Sequence, residues 1–432
     1  MHMLPSHHTC PSPSQIQVDD ATWEQNLDDE VEALVALVNV EELCRAASAL
    51  RRGKGCYFSM GDHNGRKATM NGIYFDAWIH FEDRNTWLVR IPRITACPAD
   101  LIESCVQNEY ATLKWLKSAG VTVPKPYGYG LASDRSNRVG VSYIFEMVPL
   151  GKPFNATQAT REQKTRVYSQ YANIISRIGS QRPCDFACSL APTREWVTGG
   201  AIASDKLTHL GRHGPYGTAL DYFESIAERH LDLIADGQLY PEYPKEAFLF
   251  YTLLLKEAAP ILTAQSESLR GFWLKHTDDN GDHIYVDKEY NILSIVNWQF
   301  ARFVPAAEAF CPGLFSASIG RLYGGSPGVT LDDHLFARML RENGRHDLSN
   351  FALSGDLARR FQLGLASGLS KREIYWLIKA VLELLPGDHG AAQYQYVEAW
   401  CEAQWNEMPR DTRKQKIEML LYTQRFAEAQ LV

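Results

Sequence analysis

The hydrophobic pattern of this chain changes period at Pro149-Leu150-Gly151-Lys152-Pro153, and that switch limits the fold more than any other feature. Before it, short aromatic and β-branched runs alternate with turn signals. Gly55–Ser59, Ile73–Phe81 and Thr86–Ile91 read as strands, the last two joined by a turn at Glu82-Asp83-Arg84-Asn85. Tyr127–Leu131 and Val139–Phe145 read as two more. Two helical patterns lie among them. Val31, Leu34, Val35, Leu37, Val38 and Leu43 predict one or two amphipathic helices within 24–52. Leu101, Ile102, Val106, Tyr110, Leu113, Trp115 and Leu116 predict a helix over 100–119 that Gly120 stops. From about residue 160 helical spacing dominates, apart from short strands around 283–297. This pattern predicts an α+β fold of two lobes. Residues 1–20 read as a flexible Pro/Ser/His-rich tail, 21–148 as a smaller lobe with N-terminal helices and an antiparallel sheet, and 149–432 as a larger, mainly helical lobe.

A chain of 432 residues is long enough to enclose a cleft between two such lobes. The net charge of -7 argues against DNA as a partner. The basic runs Arg51-Arg52-Gly53-Lys54, Arg66-Lys67 and Arg410–Lys416 read as solvated faces, or as parts of an RNA-binding stripe. No run reaches the roughly 18 apolar residues of a membrane helix, and the N-terminus has no apolar signal core. The expectation is a cytoplasmic protein without a membrane partner. The nine cysteines form no even framework. Cys184 and Cys188 stand four apart with no second pair at zinc-ligand spacing, so reduced, mostly buried thiols are expected. His209 and His213 would suit a metal on one helix face, but Gly211 and Gly214 favour a turn. The aromatic residues Tyr375, Trp376, Tyr394, Tyr396, Trp400 and Trp405 read as helix packing.

The polar segments carry the functional signal. His276-Thr277-Asp278-Asp279-Asn280-Gly281-Asp282-His283-Ile284-Tyr285-Val286-Asp287 is followed by Ile295-Val296-Asn297-Trp298. Upstream stand Trp87-Leu88-Val89-Arg90-Ile91-Pro92 and Gln107-Asn108-Glu109-Tyr110. In this order the segments resemble the aminoglycoside phosphotransferase and choline kinase family, and look similar to its fungal members, over roughly residues 55–310. The resemblance implies a protein-kinase-like fold. It also implies transfer of the γ-phosphate of ATP or GTP, with Mg²⁺, to a hydroxyl on a small molecule. On that resemblance Asp278 is the catalytic Asp of the H-x-D motif, orienting the acceptor hydroxyl and taking its proton as a base. His276 braces the loop by hydrogen bonding. Arg90 stands at the phosphate-binding lysine and Glu109 at the acid that pairs with it. Glu146-Met147-Val148 matches the hinge, so the backbone of Glu146 and Val148 would face the nucleobase. The loop from Gly61 to Gly72 reads equally as a lid over phosphates or as an ordinary surface loop.

The departures fall on the metal. Asn297 stands where the family has a metal-ligating Asp, and His283 where it has Asn. Mg²⁺ prefers anionic oxygens in octahedral geometry, and imidazole suits softer metals. Asp282 or Asp279 offers a carboxylate nearby. Arg90 keeps the lysine's charge but presents a bulkier, planar fork. Two readings stand. One is a nucleotide-dependent phosphotransferase acting on a small molecule. The other is a repurposed member: a pseudokinase-like binder, or a non-phosphoryl transferase such as an aminoacyl-dependent enzyme of secondary metabolism. Only the second would give tRNA a place as partner. Asp221, Glu224, Glu308, Asp332 and Asp333 could form an acidic acceptor wall, but charges on helices ordinarily face water.

Overall fold

Eight consecutive buried residues, Tyr74–Phe81, form the strand around which the smaller lobe is built. The computed structural model describes residues 20–61, 69–93, 99–191, 198–200, 213–366, 368–387 and 396–430. Residues 1–19 of the predicted tail, most of the 61–72 loop, Arg66, Lys67, His209 and Tyr394 lie outside the described residues, whereas Asp20, read as the tail's end, opens the first helix.

The smaller lobe runs α1 (Asp20–Leu37), α2 (Val40–Leu50), β1 (Cys56–Ser59), β2 (Thr69–Asn71), β3 (Tyr74–Phe81), β4 (Thr86–Pro92), α3 (Ala99–Ser118), β5 (Pro126–Gly130) and β6 (Tyr143–Met147). The strands form one antiparallel sheet in the order β1-β3-β4-β6-β5, with β2 also on β3. Side chains alternate between the faces of a strand, and here helices cover both. Phe75, Ala77, Ile79, Trp87, Val89, Ile91 and Phe145 pack against Leu34, Leu43 and Ala47 of α1 and α2. Tyr74 and Ile144, on the other face, pack against Leu101, Cys105 and Val106 of α3 and against Phe300. Asp76 and Arg90, cross-strand partners in the β3–β4 register, share this α3-facing side. β6 begins later than the pattern predicts. Asn137 supplies the reason: its Nδ2 donates to the Leu131 and Val141 carbonyls and its Oδ1 accepts from the Val139 N–H, a side-chain turn in place of a ladder.

The larger lobe continues with β7 (Lys152–Pro153), α4 (Arg161–Ile178), β8 (Ser189–Leu190), β9 (Thr198–Gly200), α5 (Ala219–Ala235), α6 (Pro244–Leu253), α7 (Ala259–Ser266), β10 (Phe272–Lys275), β11 (Ile284–Val286), β12 (Ile292–Ile295) and β13 (Arg302–Pro305). It ends in α8 (Ala306–Ala309), α9 (Ile319–Tyr323), α10 (Leu331–Glu342), α11 (His346–Ser354), α12 (Asp356–Leu363), α13 (Lys371–Leu384), α14 (Val397–Glu407) and α15 (Thr412–Gln430). Capping boxes at Thr160, Thr330 and Ser370 start α4, α10 and α13. A single large core joins these elements. A π turn at Leu254–Ala258 links α6 and α7. The resulting Pro244–Ser266 helix, with hydropathy 1.4, is long and apolar enough to cross a membrane, and 56% of its most apolar stretch is buried inside the protein. Lys256 and Glu257 interrupt the apolar run, which hides this helix from a search for uninterrupted apolar sequence. Tyr375, Trp400 and Trp405 are buried as predicted, whereas Tyr396 and, less so, Trp376 are exposed.

Candidate functional site

Arg90 organises the smaller-lobe side of the site. Its side chain is 3% exposed. Nε donates to Asp76 Oδ1 at 3.2 Å, Nη1 to Glu109 Oε1 at 2.6 Å, and Nη2 to Asn297 Oδ1 at 3.0 Å. The Tyr74 ring lies beneath, 4.4 Å from the guanidinium carbon to the ring centroid. Each guanidinium nitrogen therefore has a protein partner. Burial opposes the charge, but Glu109, Asp76 and Glu146 outweigh it and hold the proton on Arg90. Burial pushes the Glu109 carboxyl up, and Arg90 pulls it back. The Glu146 carboxyl is pushed well above the usual range, by burial first and then by Glu109. Its Oε1 has no hydrogen-bond partner among the described residues. One guanidinium cannot neutralise three carboxylates, so a proton is retained, and we assign it to Glu146, the member without a close cation.

The larger-lobe side is the loop between β10 and β11. His276 is buried with both ring nitrogens engaged. Nε2 lies 2.8 Å from the Val296 carbonyl and Nδ1 3.2 Å from the Asp278 N–H. A carbonyl only accepts and an amide N–H only donates, so these partners fix the neutral tautomer with its proton on Nε2. Burial, then His283, pushes the imidazole down to about 4. Trp298 packs edge-on at 4.5 Å. The loop is thereby pinned to the strand that leads to Asn297. Asp278 projects from it with 43% of its side chain exposed. Asn280 Nδ2 donates to Asp278 Oδ1 at 2.9 Å. His283 Nδ1 donates to the Asp278 carbonyl at 2.6 Å and lies 3.7 Å from Asp278 Oδ2. A half-exposed carboxylate on a braced loop can accept a proton from an incoming hydroxyl.

Other residues support the site, and one of them, Asp76, carries no motif signal. Asp76 is the third carboxyl at Arg90; only its register with Arg90 in a predicted hairpin could have pointed to it. Asn108, buried beside Glu109, donates to the Gln299 and Ala301 carbonyls at 3.0 and 2.9 Å. It thus ties α3 to the segment after Asn297. Asp279 is committed to other partners. It is buried, accepts from the Leu314 N–H at 2.8 Å and faces Lys275 Nζ at 3.5 Å. Gly313 packs so closely on it that a Cβ there would overlap the carboxylate. At the hinge, the Met147 N–H donates to the Lys125 carbonyl at 2.9 Å, and Val148 is half-buried.

The donor set does not fit Mg²⁺. Asn297, at φ 63, holds its amide oxygen against the Arg90 guanidinium, so a dication there would meet a buried positive charge. His283 offers one imidazole nitrogen, and Asp282 is exposed on a short 3-10 turn. Among the described residues no three His, Cys, Asp or Glu side chains converge as a metal set. Three of the acidic residues that could have lined an acceptor site are engaged by basic side chains. Glu308 and Asp333 are buried against Arg302 and Arg359, and Asp332 pairs with Lys164. A cavity of about 330 Å³ opens between α6 and α14, lined by Leu249, Leu253, Lys256, Trp400 and Gln404 among others; none of the candidate site residues borders it.

No protein-family model and no curated protein matches the chain. Solved structures that resemble it include the ethanolamine kinase of Plasmodium vivax, at 7% identity and a TM-score of 0.44 over 76% of this chain and 82% of that one. The ternary complex of APH(2″)-IIa with streptomycin and ATP gives 11% identity and a TM-score of 0.43 over 79% and 95%. The ADP-bound aminoglycoside phosphotransferase APH(2″)-Ib gives 9% and 0.43 over 80% and 99%. At these identities and scores, none of the three fixes what this chain does.

Proposed function

We propose that this chain is a kinase-like transferase acting on a small molecule, and that its reaction is nucleotide-dependent phosphoryl transfer to a hydroxyl. One observation carries the reading. Arg90 of β4, Glu109 of α3 and Asn297 beyond the His-x-Asp loop, spread over more than 200 residues, meet in one hydrogen-bonded cluster. The motif order in the sequence thus has a counterpart in space. Asp278 orients the acceptor hydroxyl and takes its proton as the oxygen attacks the terminal phosphorus of ATP or GTP; the nucleoside diphosphate leaves. His276 holds the loop, and Glu109 holds Arg90. The backbone of Glu146 and Val148 lines the nucleobase. The side chain of Glu146 takes no part, because it is turned into the buried cluster. No step uses Mg²⁺. The reading carries the expectation of a cytoplasmic protein, with residues 1–20 as a tail and lobes meeting near residue 148.

A specific observation favours the second reading, a repurposed fold that binds a ligand or transfers another group. All three guanidinium nitrogens of Arg90 are engaged by protein acceptors, so its charge is already paired without a phosphate. The tRNA version gains little. In the run Arg410–Lys416, Arg410, Arg413 and Lys416 pair with Glu418, Glu228, Asp232 and Asp236, and Lys414 is buried on the Trp405 carbonyl. Calorimetric titration with ATP and GTP, with and without Mg²⁺ or Mn²⁺, separates the readings. The phosphotransferase reading expects saturable nucleotide binding; no heat under any condition overturns it and leaves the repurposed fold.

A further inference from the structure

We infer that Cys184 and Cys188 form a reversible oxidation site, at which a peroxide converts the two thiols to an intramolecular disulfide. The spacing that yields no zinc set does bring the two sulfurs to one point. Cys184 Sγ and Cys188 Sγ lie 3.9 Å apart across a tight turn. Inside the turn, the Phe186 N–H donates to Cys184 Sγ, and Cys188 Sγ donates to the Phe186 carbonyl, both at 3.4 Å.

The backbone around the sulfurs is held from three sides. Cys184 exchanges two hydrogen bonds with Phe272 at 2.9 Å each, at the start of β10. Cys188 exchanges two with Phe303 of β13, and Ala187 two with Tyr216. The sulfurs therefore need only rotate toward one another, while the chain that carries them stays in place. Their exposures differ in a way that sets an order of events. Cys184 is half-buried beside the exposed residues Asp185 and Phe186, whereas Cys188 is fully buried. An oxidant meets Cys184 first.

The chemistry balances with peroxide as the named oxidant. The Cys184 thiol loses its proton, its sulfur attacks a peroxide oxygen, and the O–O bond breaks, giving a sulfenic acid and, with that proton, one water. The Cys188 sulfur then attacks the sulfenic sulfur, the S–O bond breaks, and the Cys188 proton leaves with the hydroxide as a second water. Two thiols and one peroxide become one disulfide and two waters. The bond would tie together the segments paired to β10, which runs into His276, and to β13, which follows Asn297.

The test uses the folded full chain. Trypsin releases both cysteines in one peptide, residues 178–194. After hydrogen peroxide treatment and iodoacetamide quenching, that peptide is expected to be lighter by two hydrogens and unalkylated. After dithiothreitol it should take up two alkyl groups. In Cys188→Ser the sulfenic acid should persist on Cys184 and be captured by dimedone. In Cys184→Ser, Cys188 should remain a thiol. Full alkylation of both cysteines after peroxide, irreversible oxidation of Cys184 without a crosslink, or pairing of either with another cysteine would each overturn the inference. Because the wild-type chain is oxidised after folding, a variant that fails to fold does not blunt the result.

Discussion

Glu146→Gln is the sharpest probe of the buried cluster. The residue is 3% exposed, and its carboxyl is pushed well above the ordinary value of 4.5 by burial and by Glu109. The sign follows from linkage. A carboxyl whose folded-state pKa is raised stabilises the fold fully only below its unfolded pKa, and that stability is lost as pH rises toward the folded value. The unfolded chain releases a proton that the folded chain keeps, so each pH unit in that window costs about 1.4 kcal/mol. Glutamine has the shape of the protonated acid and no proton to lose. Urea unfolding of both proteins at several values from about pH 5 to about pH 8 should show the variant gaining on the wild type by about 1.4 kcal/mol per unit in the lower part of that range. Comparing the two proteins at each pH cancels the buried histidines, which act in the opposite direction below about 6.5. Parallel stability curves would refute the assignment: Glu146 would then be ionised in the fold, and the proton would reside on Glu109.

On the acid side, His276 and His213 are pushed down to about 4 and about 3, in each case first by burial. Their stabilisation should be complete above about 6.5 and lost as pH falls, at about 1.4 kcal/mol per unit for each histidine; His276→Gln should remove one of the two contributions in thermal melts across pH. Asp278→Asn should leave the melting temperature nearly unchanged, because the side chain is half-exposed, while any transfer to a hydroxyl, followed by product formation, falls about 10²- to 10⁴-fold. Asn297→Gly removes an acceptor from a buried guanidinium without opposing the positive φ, and should cost about 1.5–3 kcal/mol in urea unfolding. Asn297→Ala should cost about 1 kcal/mol more, for its Cβ at that φ.

What could be read from the sequence was local. The strands β3 and β4 stand out because their residues are β-branched or aromatic and Glu82–Asn85 supplies the turn. The helices α2 and α3 follow from spacing, and the acid-rich start of α2 sits behind an Asn39 cap. The position of Arg90 beside Glu109 was legible as motif order. What is set by tertiary packing was not. Asn297 accepts from a residue 207 positions away, a distance at which no sequence periodicity operates. The carboxylate of Asp279, next to Asp278 in the chain, reads as a nearby metal donor, yet its direction is set by the Leu314 N–H and Lys275. Asn137 shortens β6 by a side-chain hydrogen-bond pattern that hydrophobic spacing cannot register.

The Arg90 cluster supports the transferase reading and restricts it for the same reason. A phosphate oxygen that took over one of the three guanidinium N–H donors already in use would displace one of three partners. Glu109 and Asp76 are carboxylates, and losing either leaves a buried charge unpaired, at a cost of about 3–5 kcal/mol. Asn297 is neutral, lies on the opposing lobe and is the partner most easily exchanged. A charge-assisted bond to phosphate is stronger than one to an amide, so the exchange at Nη2 is downhill once the phosphate is desolvated. Nucleotide phosphate and Asn297 would then be competitors for one donor. A phosphate that took the Nη2 donor from Asn297 would release that contact between the lobes.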